Sequence, residues 1–344
     1  MISIVIPVYN GQKHLEDCLK HIFISTYKDY EIIIVDDCSS DASSQIADKG
    51  RFYRDVPFFI IRLGQRQGPA AARNIASQNA RGEILLFIDA DIFIAPDTMQ
   101  RVADFLGASN GADAITGLYS VQPAYTNFSS RYKNLYLRYK FANAAEFTCT
   151  ANTALLAVRK VSFEKTGGFN PDMLTCEDFE FSQRFAAAGF NIYNDKGLEV
   201  VHSRYFSLPG LISDDFIKAV NMAHLFLNRR GAIRRHPGEK GILSISRSQM
   251  FATVATFLLF IDLCLLPFFP SVGFVAIGVV LAAITAISNF DFWRFQWKGQ
   301  KPVFKILSFL FTYIEHLISA FGVITAVARR IVGIKKGNFP FLLA

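Results

Sequence analysis

The chain has 344 residues, 51% of them hydrophobic, and a formal net charge of +7. That length suggests two units, and the basic excess suits nucleic acid, anionic lipid or a phosphorylated substrate. Zinc-finger spacing and RNA-binding aromatic signatures are missing from the sequence, so no nucleic-acid partner is expected.

Residues 1–248 read as an ordinary α/β sequence, and nearly all long apolar runs follow Gln249. The opening run Ile2–Val8 is short and has no basic leader, so it reads as a strand and not as a signal peptide. An N-terminal domain that stays in the cytosol is therefore expected. Glu31–Val35, Phe58–Ile61 and Ile84–Ile88 are further predicted strands, with helical stretches near 12–24, 42–49 and 69–80. Apolar strands spaced by helices predict a parallel sheet covered on both faces, whose ligands bind beyond the C-terminal strand ends. Tyr9-Asn10, Asp36-Asp37 and Asp89-Ala90-Asp91 all fall at such ends. Asp113–Val121 and Thr153–Val158 read as additional strands, and a helix is predicted from near Glu177 to Ala188, stopped by Gly189. The five cysteines (Cys18, Cys38, Cys149, Cys176 and Cys264) are odd in number with no CxxC pair, which predicts free thiols in a reducing compartment.

Residues 209–228 carry apolar side chains at helical spacing and precede a basic cluster of Arg229, Arg230, Arg234, Arg235, Lys240 and Arg247. This predicts an amphipathic helix on a membrane surface; the alternative is a helix packed on the domain. Apolar segments follow near 250–269, 271–290 and 303–328, each about long enough to cross a bilayer. The first two predict a helical hairpin. The loop 291–302, with Trp293, Arg294, Trp297, Lys298 and Lys301, predicts a cytosolic interface. The third segment holds Glu315-His316, and a carboxylate at mid-membrane costs roughly 2.5–3.5 kcal/mol. Three spans would also put Arg329, Arg330, Lys335 and Lys336 outside, against the positive-inside tendency. Two spans plus an irregular third element are expected. The division is then 1–208 catalytic domain, 209–248 interfacial helix and basic linker, and 249–344 membrane anchor.

Asp89 and Asp91 stand two residues apart, a spacing that in a strand turns both carboxylates to one face. There they suit a hard cation such as Mg²⁺ or Mn²⁺, which would neutralise a pyrophosphate. Asp37 is placed to accept from a nucleobase or ribose, while Asp41 suits a helix cap. Gly68-Pro69-Ala70-Ala71-Ala72-Arg73 opens a helix from which Arg73 could reach phosphates or base. Glu177-Asp178 opens a later helix, where a carboxylate is either a cap or a general base. His202 is a candidate third metal ligand, against the commoner structural role of a single histidine.

Six segments in order, SIVIPVYN, IIIVDDCSSD, GPAAARNIA, GEILLFIDADI, TANTALLAVRK and GGFNPDMLTCEDFEFSQRFAAAGF, resemble the inverting glycosyltransferase family two, with the GT-A fold. The resemblance runs from Ile2 to about His202. It implies an α/β, Rossmann-like nucleotide-sugar domain ahead of a helical membrane region. It also implies roles: Pro7 and Tyr9 lining the base pocket, Asp37 on the base, Arg73 on the nucleotide, Asp89 on ribose or sugar, and Asp91 on the metal. Asp178 would be the catalytic base, Glu177 its orienting neighbour, and Asn152 an acceptor-side or sugar-side contact. The Q-x-x-R-W motif of processive members is missing; the nearest basic stretch is Asn228-Arg229-Arg230-Gly231. The expected reaction is metal-dependent transfer of one sugar, from UDP by family frequency, to a hydroxyl of a membrane lipid or lipid-linked glycan at a bacterial inner membrane. A polyprenyl-phosphate acceptor, an idle membrane-anchored nucleotide-sugar binding protein and a nucleotidyltransferase are the competing readings.

Overall fold

The computed structural model describes residues 1–53, 55–108, 111–173, 175–228, 241–242 and 245–333. Arg229, Arg230, Arg234, Arg235, Lys240, Lys335, Lys336 and the Arg247 side chain, expected above as basic membrane flanks, lie outside the described residues. Two compact units are present: Met1–Tyr205 with Ile233–Ser244, and Phe206–Ala232 with Ile245–Ala344.

The first unit runs β1 (Ile2–Val8), α1 (Leu15–Phe23), β2 (Tyr30–Asp36), α2 (Ser43–Gly50), β3 (Phe58–Arg62), α3 (Pro69–Asn79), β4 (Ile84–Phe87) and β5 (Ile92–Ile94). It continues through α4 (Thr98–Gly107), β6 (Ala114–Tyr119), α5 (Phe128–Ala142), β7 (Phe147–Thr148), β8 (Leu156–Arg159), α6 (Lys160–Thr166), α7 (Glu177–Ala187) and β9 (Ile192–His202). The nine strands form one sheet in the order β3-β2-β1-β4-β8-β6-β9-β5, with β7 on β9. Strand alternation sorts the core into two faces. Ile2, Ile4, Ile6 and Val8 pack with Leu15, Leu19 and Ile22 of α1 and with Met99, Val102 and Leu106 of α4. Val5, Ile33 and Val35 turn the other way, onto Ala72 and Ala76 of α3 and Phe181 and Phe185 of α7.

The expected all-parallel sheet holds for its first four strands and for the β6–β9 pair. β8 runs antiparallel to both β4 and β6, while β5 and β7 run antiparallel to β9. At Gly117 the β6–β9 register shifts, and a β-carbon there would run into the Leu198 carbonyl oxygen. Glycine is needed because two backbones meet.

The second unit contains α8 (Leu208–Asn228), α9 (Arg247–Leu265), α10 (Val272–Gln296) and α11 (Pro302–Val332). α9, α10 and α11 are long and apolar enough to cross a membrane. α10 extends to Gln296, so Trp293 and Arg294 are helical and the expected loop 291–302 shrinks to a short turn containing Gly299. The third segment, expected to be irregular, is one unbroken helix. Its buried His316 is hydrogen-bonded to Thr253 Oγ1 (2.9 Å) and to the Asn289 amide (3.0 Å), so neighbouring helices satisfy the polar group. Trp293 and Trp297 donate to Thr312 Oγ1 and Ser308 Oγ, which fixes α10 and α11 antiparallel. α8, expected as an amphipathic helix on a membrane surface, packs on α11. Close approach at Gly322 lets Ala219 and Val220 touch the α11 backbone, and Arg330 donates to the Leu227 carbonyl.

Candidate active site

The C-terminal ends of β1 and β2 are laced together by side chains bonding to backbone. Ser39 N donates to Asp36 Oδ1 (2.9 Å), Ser40 N to Asn10 Oδ1 (2.9 Å), Gly11 N to Ser43 Oγ (2.8 Å) and Gln12 N to Asp41 Oδ2 (3.0 Å). Asn10 and Cys38 have positive φ of 50° and 64°, the tight backbone this lacing encloses. Asp41 also accepts from Ser43 N at the start of α2 (3.0 Å). Burial alone would raise its pKa, but the Ser43 hydroxyl and these N–H groups outweigh burial and hold it below the usual aspartate range.

Asp37 is buried, and both carboxylate oxygens accept from backbone: Gln67 N at 2.6 Å and Gly68 N at 2.8 Å. It shapes the turn that opens α3. Pro7 lies one residue inside the end of β1, and Tyr9 just beyond it is 40% exposed, with the Arg66 guanidinium 3.7 Å over its ring. Arg66 had no motif to mark it in the sequence.

Asp89-Ala90-Asp91 is a turn and not a strand end, closed by Ile92 N donating to Asp89 O (3.0 Å). The two carboxylates take different partners. Asp89 meets Arg73 Nη2 at 2.6 Å, and the other arm of Arg73 meets Glu177 at 2.8 Å. Arg73, expected on the nucleotide, is buried and its fork spans two carboxylates. Burial works against its charge, yet Asp89 and Glu177 more than compensate, so it stays protonated. Asp89 is raised by burial, with Arg73 opposing.

Asp91 turns toward His202, with Oδ2 and Nε2 3.6 Å apart. Burial would raise Asp91, but His202, Arg204 and His14 outweigh it and hold the carboxyl below the usual range. His202 closes β9 opposite Ile92, and Tyr119 packs on its ring at 5.2 Å. Among the described residues no three His, Cys, Asp or Glu side chains gather into a complete metal cage. One carboxylate and one imidazole a few ångströms apart nevertheless fit a Mg²⁺- or Mn²⁺-type ion that takes its other ligands from substrate phosphates and water.

Glu177 and Asp178 begin α7, after Cys176 at φ 63°. Asp178 accepts from Phe179 N (2.7 Å) and is half-buried. Burial, then the neighbouring Glu177, pushes its pKa up to about 6. Asn152 Oδ1 accepts from Tyr119 OH (3.1 Å) and Ala154 N (3.2 Å), while its buried Nδ2 has no partner among the described residues. Ser182 and Gln183 of α7 bond to Ala151 N and Cys149 O, so Asn152 and the Glu177-Asp178 pair belong to one braced assembly. Gly168, at φ 68°, lets Asn74 bracket Phe169 through both its N–H and its carbonyl. Sequence reasoning did not single out Arg66, Tyr119, His14 or Ser203, which sit in loops or at strand ends without a recurring pattern.

Residues 3–166 match the family model described as Glycosyl transferase family 2. An uncharacterized glycosyltransferase of Haemophilus influenzae is 35% identical over 106 residues, 31% of this chain and 42% of that protein. Glycosyltransferase AglE of Haloferax volcanii is 27% identical over 196 residues, 56% of this chain and 63% of its own length. The chain thus spans less than two thirds of either relative. The solved structure of a mannosyltransferase, PcManGT of Pyrobaculum calidifontis, in complex with GDP-Man and Mn²⁺, superposes with a TM-score of 0.66 at 18% identity. It covers 94% of this chain and 86% of that one, a likeness of fold.

Proposed function

We propose, from the match of residues 3–166 to the glycosyl transferase family 2 model, that the chain transfers a single sugar, with inversion, from a nucleotide-sugar to a hydroxyl of a membrane lipid or lipid-linked glycan. The observation that carries this reading is Asp178: a carboxylate at a helix start, raised to about 6, within an assembly that also holds the Arg73 bridge to Asp89. A base of that strength is ionised at neutral pH yet basic enough to accept a hydroxyl proton.

The nucleobase lies against Tyr9, in a pocket whose floor is shaped by Asp37. Asp89 sits on the sugar or ribose side, held by Arg73. Asp91 and His202 hold the divalent cation. When bound, Mg²⁺ or Mn²⁺ supplies positive charge to the departing diphosphate. Asp178 takes the acceptor proton as the hydroxyl oxygen attacks the anomeric carbon, and the bond to the diphosphate breaks on the opposite face. Glu177 keeps Asp178 basic, and Asn152 offers its buried amide N–H to a sugar or acceptor oxygen. Three helices able to cross a membrane support an acceptor that is itself in the membrane.

The test is a donor screen in detergent: UDP-, GDP- and dTDP-sugars with Mn²⁺ or Mg²⁺ and a total lipid extract, read by nucleoside diphosphate release and mass spectrometry. A new glycolipid, lost with EDTA, is expected. Turnover in EDTA equal to that with metal refutes the cation, and undiminished transfer by Asp178→Asn points to a phosphate acceptor that needs no base.

A further inference from the structure

β9 ends at His202, and its last ladder partner is Ile92, so sheet pairing does not hold the chain beyond that point. What holds it is Ser203, which is buried. Its N–H donates to the Asp91 carbonyl (2.8 Å), and its hydroxyl shares a hydrogen bond with His14 Nδ1 (2.9 Å). Ser203 thus adjoins both members of the Asp91–His202 pair, one through its backbone bond and one through the chain.

His14 is itself well fixed. Its N–H donates to Gly11 O (3.0 Å) and its carbonyl accepts from Cys18 N (2.9 Å), which makes it the entry residue of α1. Leu15, Cys18 and Leu19 then anchor that helix in the core. The imidazole meets Tyr125 edge-on at 6.5 Å, and Tyr125 meets Tyr205 at 5.4 Å, so the ring has aromatic neighbours. His14 thus ties Ser203, 189 residues later in the sequence, to a core helix, alongside the Ile92 pairing and the Ala124 N–H bond to the His202 carbonyl (3.2 Å) that also hold His202.

We propose that His14 is a positioning residue for the cation site: by holding Ser203 it fixes the separation and aim of Asp91 and His202. The inference rests on the cation-dependent reading above. Residues that orient metal ligands from outside the coordination sphere typically matter by about 10–100-fold in metal affinity.

The test uses the full chain in detergent with Mn²⁺, with and without UDP. Binding is followed by the electron paramagnetic resonance of free Mn²⁺, and ¹⁴N coupling to the bound ion reports the His202 imidazole. His14→Ala is expected to weaken Mn²⁺ binding about 10–100-fold while lowering the metal-free melting temperature by only a few degrees. Ser203→Ala should match it, and the double variant should be no worse than either single one, because both remove the same bond. His14→Asn, whose amide reaches the Nδ1 position, should restore most of the affinity. If His14→Ala folds poorly, Ser203→Ala and His14→Asn carry the comparison. Wild-type affinity in His14→Ala, additive losses in the double variant, or no rescue by asparagine would each overturn the inference. A wild-type protein that binds Mn²⁺ without a nitrogen signal, or not at all, overturns the cation assignment, and this inference with it.

Discussion

Replacing Asp178 by asparagine is expected to slow the enzyme and stabilise it at once. The raised pKa means that ionising this carboxyl is harder in the folded protein than in the unfolded chain. The resulting destabilisation is full above about pH 6, shrinks as pH falls, and is gone below about pH 4, where both states are protonated. A rise from 3.8 to about 6 corresponds to about 3 kcal/mol in a dry site, and partial solvent access to a half-buried group reduces that to about 1–2 kcal/mol. Asparagine keeps the shape and an oxygen for the Phe179 N–H but never ionises. For a domain of this size the gain is about 2–8 °C in melting temperature at pH 8, vanishing near pH 4. The assay is thermal unfolding in detergent across that range, beside turnover, which should drop by about 10²–10⁴. Wild-type kcat/KM should itself fall about fivefold between pH 6 and 5. A variant that melts at or below wild type at pH 8, with no acid limb in the wild type, refutes the argument that desolvation and Glu177 raise Asp178.

Arg73→Ala leaves Glu177 buried without its cation and is expected to destabilise the first unit by about 3–5 kcal/mol, measured by chemical unfolding; a loss under about 1 kcal/mol would show the bridge to be solvated. Gly117→Ala pushes a methyl into the Leu198 carbonyl and should cost more than about 3 kcal/mol, read from soluble yield and melting; wild-type melting would mean β6 and β9 can separate locally. Asn289→Leu removes the bond to His316 between α10 and α11 and should lower stability by only about 0.6–1.7 kcal/mol in detergent.

The first half of the chain was legible because its signals are local. Ile2–Val8 and Glu31–Val35 are uniform apolar runs, Gly68-Pro69 punctuates the start of α3, and a periodic pattern after Glu177 gives α7 nearly residue for residue. β9 was less visible, since Asp195, Lys196 and Gly197 interrupt its apolar character and its partners are decided by strands far away. Among the candidate site residues, sequence put Asp37, Asp89 and Asp91 after strands and Glu177 at a helix start but did not give their partners. Asp37 is bonded to backbone, and Arg73 faces carboxylates instead of open space. Such pairings depend on loops converging from positions up to 104 residues apart, which no window of sequence displays. The mid-helix polarity of α11 looked like an irregularity for the same reason: its partners, Thr253 and Asn289, lie on other helices.

The Arg73 bridge also has a consequence for the order in which the protein is made. At about 5–20 residues per second, roughly 5–20 s pass between synthesis of Arg73 and of Glu177. During that interval the parallel half of the sheet has its strands, while the arginine has only Asp89 to meet, and Asp178 and His202 do not yet exist. The parallel edge that carries Asp37 and Asp89 is therefore synthesised well before the groups assigned under the proposed function to base and cation. On that reading, a ribosome stalled midway leaves a chain with the proposed donor side but not the residues proposed for chemistry.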